Sequence, residues 1–151
     1  MTIHLITLAD VHDPQVGDGC AIDQDNIRRF FAAVREHSEL PLEERHLRDD
    51  SFTKEAIVGA INELEPTSND AVVFYYSGHG QRVETKSDKW PYLVLGETET
   101  GRTEVFDTTW IYDTLRAKSP RMLMLIVDCC NVFRDARTQV VISPKDARRR
   151  A

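Results

Sequence analysis

Two runs of the chain are apolar at every position: residues 71–76, Ala-Val-Val-Phe-Tyr-Tyr, and residues 122–127, Met-Leu-Met-Leu-Ile-Val. A strand with one wet face alternates polar and apolar residues, so a run without alternation needs cover on both sides. Helices packed on both faces of a parallel sheet supply that cover, and the remaining sequence offers both strands and helices. Residues 2–9 read as another buried strand, and residues 10–19, with Pro14, Gly17 and Gly19, as a polar loop. Residues 23–37 read as a helix: Ile27, Phe30, Phe31 and Val34 recur at helical spacing, with Arg28, Arg29, Arg35 and Glu36 on the opposite face. Residues 43–47 form a short strand. Ser51 or Thr53 caps a second helix with Ile57, Ile61 and Leu64 on its stripe and Pro66 beyond its end. Residues 92–95 and 103–106 flank the segment 96–101 as a hairpin. Asp107 caps a third helix that runs through Lys118, with Trp110, Ile111 and Leu115 inward and Pro120 as its stop. The expected fold class is α/β, a mostly parallel sheet with helices on both faces and right-handed crossovers.

The chain has 151 residues, one domain's worth, and can bury a core without disulfides or metals. The longest apolar stretches run to about seven residues, against the roughly 20 of a membrane-spanning helix, so no membrane partner is expected. Met1 leads straight into the first strand, and no secretory leader is expected. With 19 Lys plus Arg against 25 Asp plus Glu, the net charge is −6. Phosphate backbones need a basic face, which disfavours nucleic acid as a partner. Arg148-Arg149-Arg150 is a local exception and reads as a solvated tail. Cys20, Cys129 and Cys130 are an odd number with two adjacent, which does not make a disulfide framework. A reduced, cytoplasmic compartment follows as the expectation. No CxxC pair of the kind zinc and redox sites use is present.

In open α/β sheets, function gathers at the carboxyl ends of strands. Ser77-Gly78-His79-Gly80 follows one apolar strand and Asp128-Cys129-Cys130 follows the other. A cysteine becomes a strong nucleophile when a base or a positive neighbour raises its thiolate fraction, and a histidine on the adjacent strand end can do so. Flanking glycines let the backbone around His79 turn sharply. Each residue also has a plain structural reading. A buried free cysteine is usually a small hydrophobe, which is the reading for Cys129 and, taken singly, for Cys20 and Cys130. Asp23 can be a helix-terminal acid and Asp128 a strand-end turn residue. His4, His12, His37 and His46 read as ordinary core or surface histidines.

Taken together, Tyr76-Ser77-Gly78-His79-Gly80 and Asp128-Cys129-Cys130 resemble the caspase-like cysteine peptidases, whose patterns here are Y-S-G-H-G and D-[SC]-C-H-S-G. Gly19-Cys20-Ala21-Ile22-Asp23 matches the G-C-x-x-D that opens the first helix in metacaspases, so the likeness is closest to metacaspases and their bacterial relatives. His79 precedes Cys130 by 51 residues, close to the separation of about 50 in caspases. The resemblance covers residues 1–135 as a large-subunit catalytic region, with residues 136–151 as a flexible polar tail. It implies a three-layer caspase–hemoglobinase fold. It also implies a cysteine endopeptidase with Cys130 as nucleophile, His79 as general acid and base, and the N–H groups of Gly80 and Cys130 holding the oxyanion. Asp23 and Asp128 match the acids of the first specificity pocket, with Ser77 and Cys20 beside them, and imply cleavage after Arg or Lys.

Three departures follow. After Cys130 the family has His-Ser-Gly, whereas this chain has Asn131-Val132-Phe133. The stretch 84–91, where many metacaspases carry an acidic calcium loop, has few acids and two lysines. Calcium takes about six to eight oxygen ligands, so no metal and no cofactor is expected. About twenty residues follow Cys130, and their polar composition does not supply the two carboxyl-terminal strands of the family's sheet. The expectation is therefore a sheet missing those strands, completed by a small-subunit chain or a dimer. An alternative is a non-catalytic caspase-like module that acts in binding or assembly. A third reading, a metal or redox protein using Cys129 and Cys130, lacks a second cysteine pair.

Overall fold

The computed structural model describes residues 1–83, 90–97, 101–130, 132–134 and 139–142. Four parallel strands form the main sheet: β1 (Ile3–Ala9), β2 (Leu42–Leu47), β3 (Ala71–Gly78) and β7 (Met122–Cys129), in the order β2-β1-β3-β7. The helices are α1 (Gly17–Ser38), α2 (Lys54–Asn62) and α3 (Thr108–Ala117). Side chains alternate between the two sheet faces. Ile3, Leu5, Ala71 and Val73 point one way and pack with Phe31, Ile27 and Val34 of α1. Ile6, Leu8, Val72, Phe74 and Tyr76 point the other way and pack with Ile57 and Ile61 of α2 and Ile111 and Leu115 of α3. The expected parallel sheet with helices on both faces is therefore present. Each fully buried large aliphatic or aromatic side chain contributes about 1.5–3 kcal/mol.

The caps of α2 and α3 are those read from the sequence. Thr53 Oγ1 accepts from the Ala56 N–H at 3.2 Å, and Asp107 Oδ1 accepts from the Thr109 N–H at 2.8 Å. The first helix differs. It starts at Gly17, inside the stretch expected to be a loop, so Asp23 lies in its second turn and is not a helix-terminal acid. Its start is organised by Asp13, whose Oδ1 accepts from the N–H groups of Gln15 and Val16 at 2.8 and 3.0 Å. A Cβ on Gly17 would collide with the carbonyl oxygen of Val11, so this glycine serves close backbone approach and does not interrupt the helix.

A second sheet was only partly legible. The expected hairpin is present as β5 (Tyr92–Glu97) and β6 (Thr103–Phe106), antiparallel with an irregularity between Val94 and Gly96. Three short strands extend it: β4 (Gly80–Val83), β8 (Val132–Arg134) and β9 (Gln139–Ile142), in the order β8-β4-β5-β6-β9. Leu93 and Phe106 join this sheet to the core that α2 and α3 cover. Of the stretch 136–151, only 139–142 is described, as β9 beside β6.

Among the described residues, no strand continues the parallel sheet beyond β7. Met122 and Met124 are accordingly 41% and 40% exposed. No described helix is long and apolar enough to cross a membrane.

Candidate active site

Tyr76 fixes the histidine loop. Its buried hydroxyl shares its one proton between the His79 carbonyl at 2.7 Å and the Val94 carbonyl at 3.1 Å, and the Val94 N–H donates to the same His79 carbonyl at 2.9 Å. Burial raises the Tyr76 phenol well above its usual range, so it stays a donor. The backbone of His79 is thereby tied to the second sheet, while its side chain remains about a third exposed.

The pairing of Ser77 with Asp128 and of Gly78 with Cys129 brings the end of β7 level with that loop. Strand alternation then separates the two adjacent cysteines. Cys129 packs against the α2–α3 core, and its thiol is pushed up to about 11, first by burial and then by the charges of Cys130 and Asp128. Cys130 lies past the strand end and is exposed. Gly80 is wedged behind them. A Cβ there would overlap Cys129 Sγ and the Cys130 carbonyl oxygen, so only glycine lets β4 approach this closely.

A cavity of about 570 Å³ opens at the carboxyl ends of β3 and β7, beside the first two turns of α1. His79, Cys130, Asp23, Asp128, Ser77 and Cys20, the residues singled out from the sequence apart from Gly80, all line it. Gly80 is buried and does not reach the lining. Ser77 Oγ donates to Asp23 Oδ2 at 3.3 Å, which links strand to helix on the α1 side of the sheet. Burial, followed by the nearby Asp23 charge, pushes the Tyr75 phenol up to about 12. The Cys20 thiol is also raised, first by burial, so it is a poor thiolate source. Two carboxylates on one wall of such a cavity suit a cationic guest.

Two acids of the first loop went unassigned in the sequence. Asp13 Oδ2 lies 3.2 Å from His79 Nε2. Burial acts to raise the Asp13 carboxyl. The hydrogen bonds from Gln15 and Val16, together with His79, outweigh it and hold the carboxyl below the usual range. Asp10 is shifted up, by burial first and then by the Asp13 charge, and its N–H donates to the Ser77 carbonyl at 3.1 Å. Asp13-Pro14 signals a turn, but no spacing rule links that turn to a histidine 66 residues away.

Among the described residues, no group of three His, Cys, Asp or Glu side chains is placed to hold a metal ion. Most of the loop compared with the calcium loop, residues 84–89, lies outside the described residues.

No curated protein and no solved structure matches the chain. The family model of the caspase domain matches residues 12–149, a span that takes in α1 and both strand-end motifs. With that match over most of its length, and a parallel sheet carrying those motifs on adjacent strand ends, the chain belongs to the caspase domain family of cysteine peptidases.

Proposed function

We propose that the chain is a cysteine endopeptidase of the metacaspase type, with a His79/Cys130 dyad and cleavage after Arg or Lys. The observation that carries this reading is the single cavity shared by His79, Cys130, Asp23 and Asp128. Cys130 attacks the scissile carbonyl as a thiolate after passing its proton to His79, and His79 returns that proton to the leaving amine. The oxyanion is held by the Cys130 N–H, with the N–H of Gly80, which packs directly behind the two cysteines, as its second donor. The acyl-enzyme is released by water activated by the same histidine. Asp23 and Asp128 accept hydrogen bonds from the guanidinium or ammonium of the substrate.

The test is turnover of matched Arg, Lys and Asp peptides. Cys130→Ala should be silent. Asp23→Asn or Asp128→Asn should lower kcat/KM for the Arg peptide about ten-fold, the equivalent of about 1.4 kcal/mol. Faster cleavage after Asp than after Arg would overturn the pocket assignment.

A second reading is favoured by the half-exposed β7. On it the cleft is completed by a small-subunit chain or a second copy, or the module binds without cleaving. Labelling of Cys130 by an arginyl electrophile, with His79→Ala as control, separates the two. Labelling that depends on His79 supports the peptidase, and labelling that ignores it supports a binding module.

A further inference from the structure

We infer that Asp13 is the positioning residue for His79. It accepts a hydrogen bond from Nε2–H and so leaves Nδ1 as the basic nitrogen for Cys130. This rests on the reading of His79 as the general base. Asp13 Oδ2 lies 3.2 Å from His79 Nε2, within range of a charge-assisted hydrogen bond. The carboxylate is well held for the task. Its other oxygen accepts two backbone N–H groups, and its own carbonyl accepts from the Gly17 N–H at 2.9 Å, so the turn that leads into α1 clamps it. The imidazole is held from the other end, because the His79 carbonyl is bound by Tyr76 and by the Val94 N–H. With both backbones fixed, the remaining freedom is rotation of the His79 ring, and the Asp13 contact stops it.

A carboxylate cannot donate, so the ring nitrogen facing it must carry the proton. Neutral His79 is therefore the Nε2–H tautomer. In the proton step, Cys130 Sγ–H gives its proton to Nδ1, forming thiolate and imidazolium. Asp13 takes no proton and stabilises the imidazolium electrostatically. Other titratable groups surround the ring: Asp10 and His12 on the same loop, Asp23 on α1, and Asp128, Cys129 and Cys130 at the end of β7. Asp13 is distinguished from them by its direct contact with the ring.

The experiment uses the full chain and the Asp13→Asn variant. The amide oxygen of Asn can keep the Gln15 and Val16 N–H bonds, while its NH₂ turns a donor toward Nε2. Histidine ¹⁵N–¹H correlation spectra at a pH where His79 is neutral should read Nε2–H in the wild type and shift toward Nδ1–H in D13N. With an Arg peptide, D13N should lower kcat by a hundredfold or more with KM within about three-fold, as expected when the wrong tautomer is fixed. A wild-type ring found as Nδ1–H would overturn the inference, with or without a folded variant. An unchanged tautomer, or kcat within two-fold, in a folded D13N would do the same. If the wild type cleaves nothing, the peptidase reading fails, and the tautomer measurement alone decides the place of Asp13.

Discussion

Strands β3 and β7 look alike in sequence, an apolar run ending in a polar motif, yet the molecule treats them differently. All of β3 except its last residue is buried, whereas no residue of β7 is fully buried. The cause is position. The third strand lies between β1 and β7 with helices over both faces, while β7, among the described residues, has a neighbour on one side only. The apolar pattern reports that a strand is able to be covered, and the order of strands decides whether it is. This difference suits a site in which the histidine motif sits on the rigid strand and the cysteine motif on the edge, where Cys130 remains exposed.

Truncating one large side chain in each strand separates the two. Phe74→Ala in β3 should cost about 3–5 kcal/mol, since Phe74 is fully buried in the core under α2 and α3. Met124→Ala in β7, one register step before the Leu125 that pairs with Phe74 and 40% exposed, should cost under about 1 kcal/mol. Urea denaturation of both variants checks this, and equal losses would mean that β7 is covered in solution.

A second contrast lies within β7 itself. With its thiol pushed up to about 11, Cys129 at pH 8 holds a few hundredfold less thiolate than an ordinary cysteine with a pKa of about 8.5. Iodoacetamide at pH 8, followed by mass spectrometry of the peptide, should therefore modify Cys130 long before Cys129. Comparable rates would place both thiols in the open.

The smallest of these effects concerns how the two strands begin. Asp70 introduces β3 and accepts from the Thr2 N–H at 2.5 Å and from the Thr67 N–H and hydroxyl at 2.8 and 2.7 Å, bonds that hold its carboxyl far below the usual range. Arg121 introduces β7 with an exposed contact to Asn69 at 3.3 Å. A carboxyl with a depressed folded-state pKa contributes stability above its unfolded value of about 3.9 and loses it as pH falls through the folded value. Asp70→Asn should therefore lower Tm at pH 7, and its gap from wild type should narrow as pH drops below about 4. Arg121→Ala should leave Tm nearly unchanged across that range. A gap that persisted in acid would assign the role of Asp70 to packing.

Local pattern made much of the fold legible. Fully apolar runs, helical stripes and the caps Thr53 and Asp107 each depend on neighbours a few residues away, and those neighbours are written side by side. The start of α1 was not legible, because Gly17 and Gly19 signal loop in any window, and the need for Gly17 comes from the approach of the Val11 carbonyl. The short strands β4, β8 and β9 were missed because three or four residues carry too little periodicity, and their pairing is decided by what they meet in space. For the candidate site, motif order singled out the residues that share the cavity. It did not reveal Asp13 beside His79, nor that Gly80 is packed against the two cysteines. Which strands could be buried and which side chains could do chemistry were readable from the residues alone, because both are properties of residue type and spacing. Which strand became the edge, which of two adjacent cysteines faces the core, and which carboxylate meets the histidine were set by folding. Each of those is settled by a partner far away in the chain.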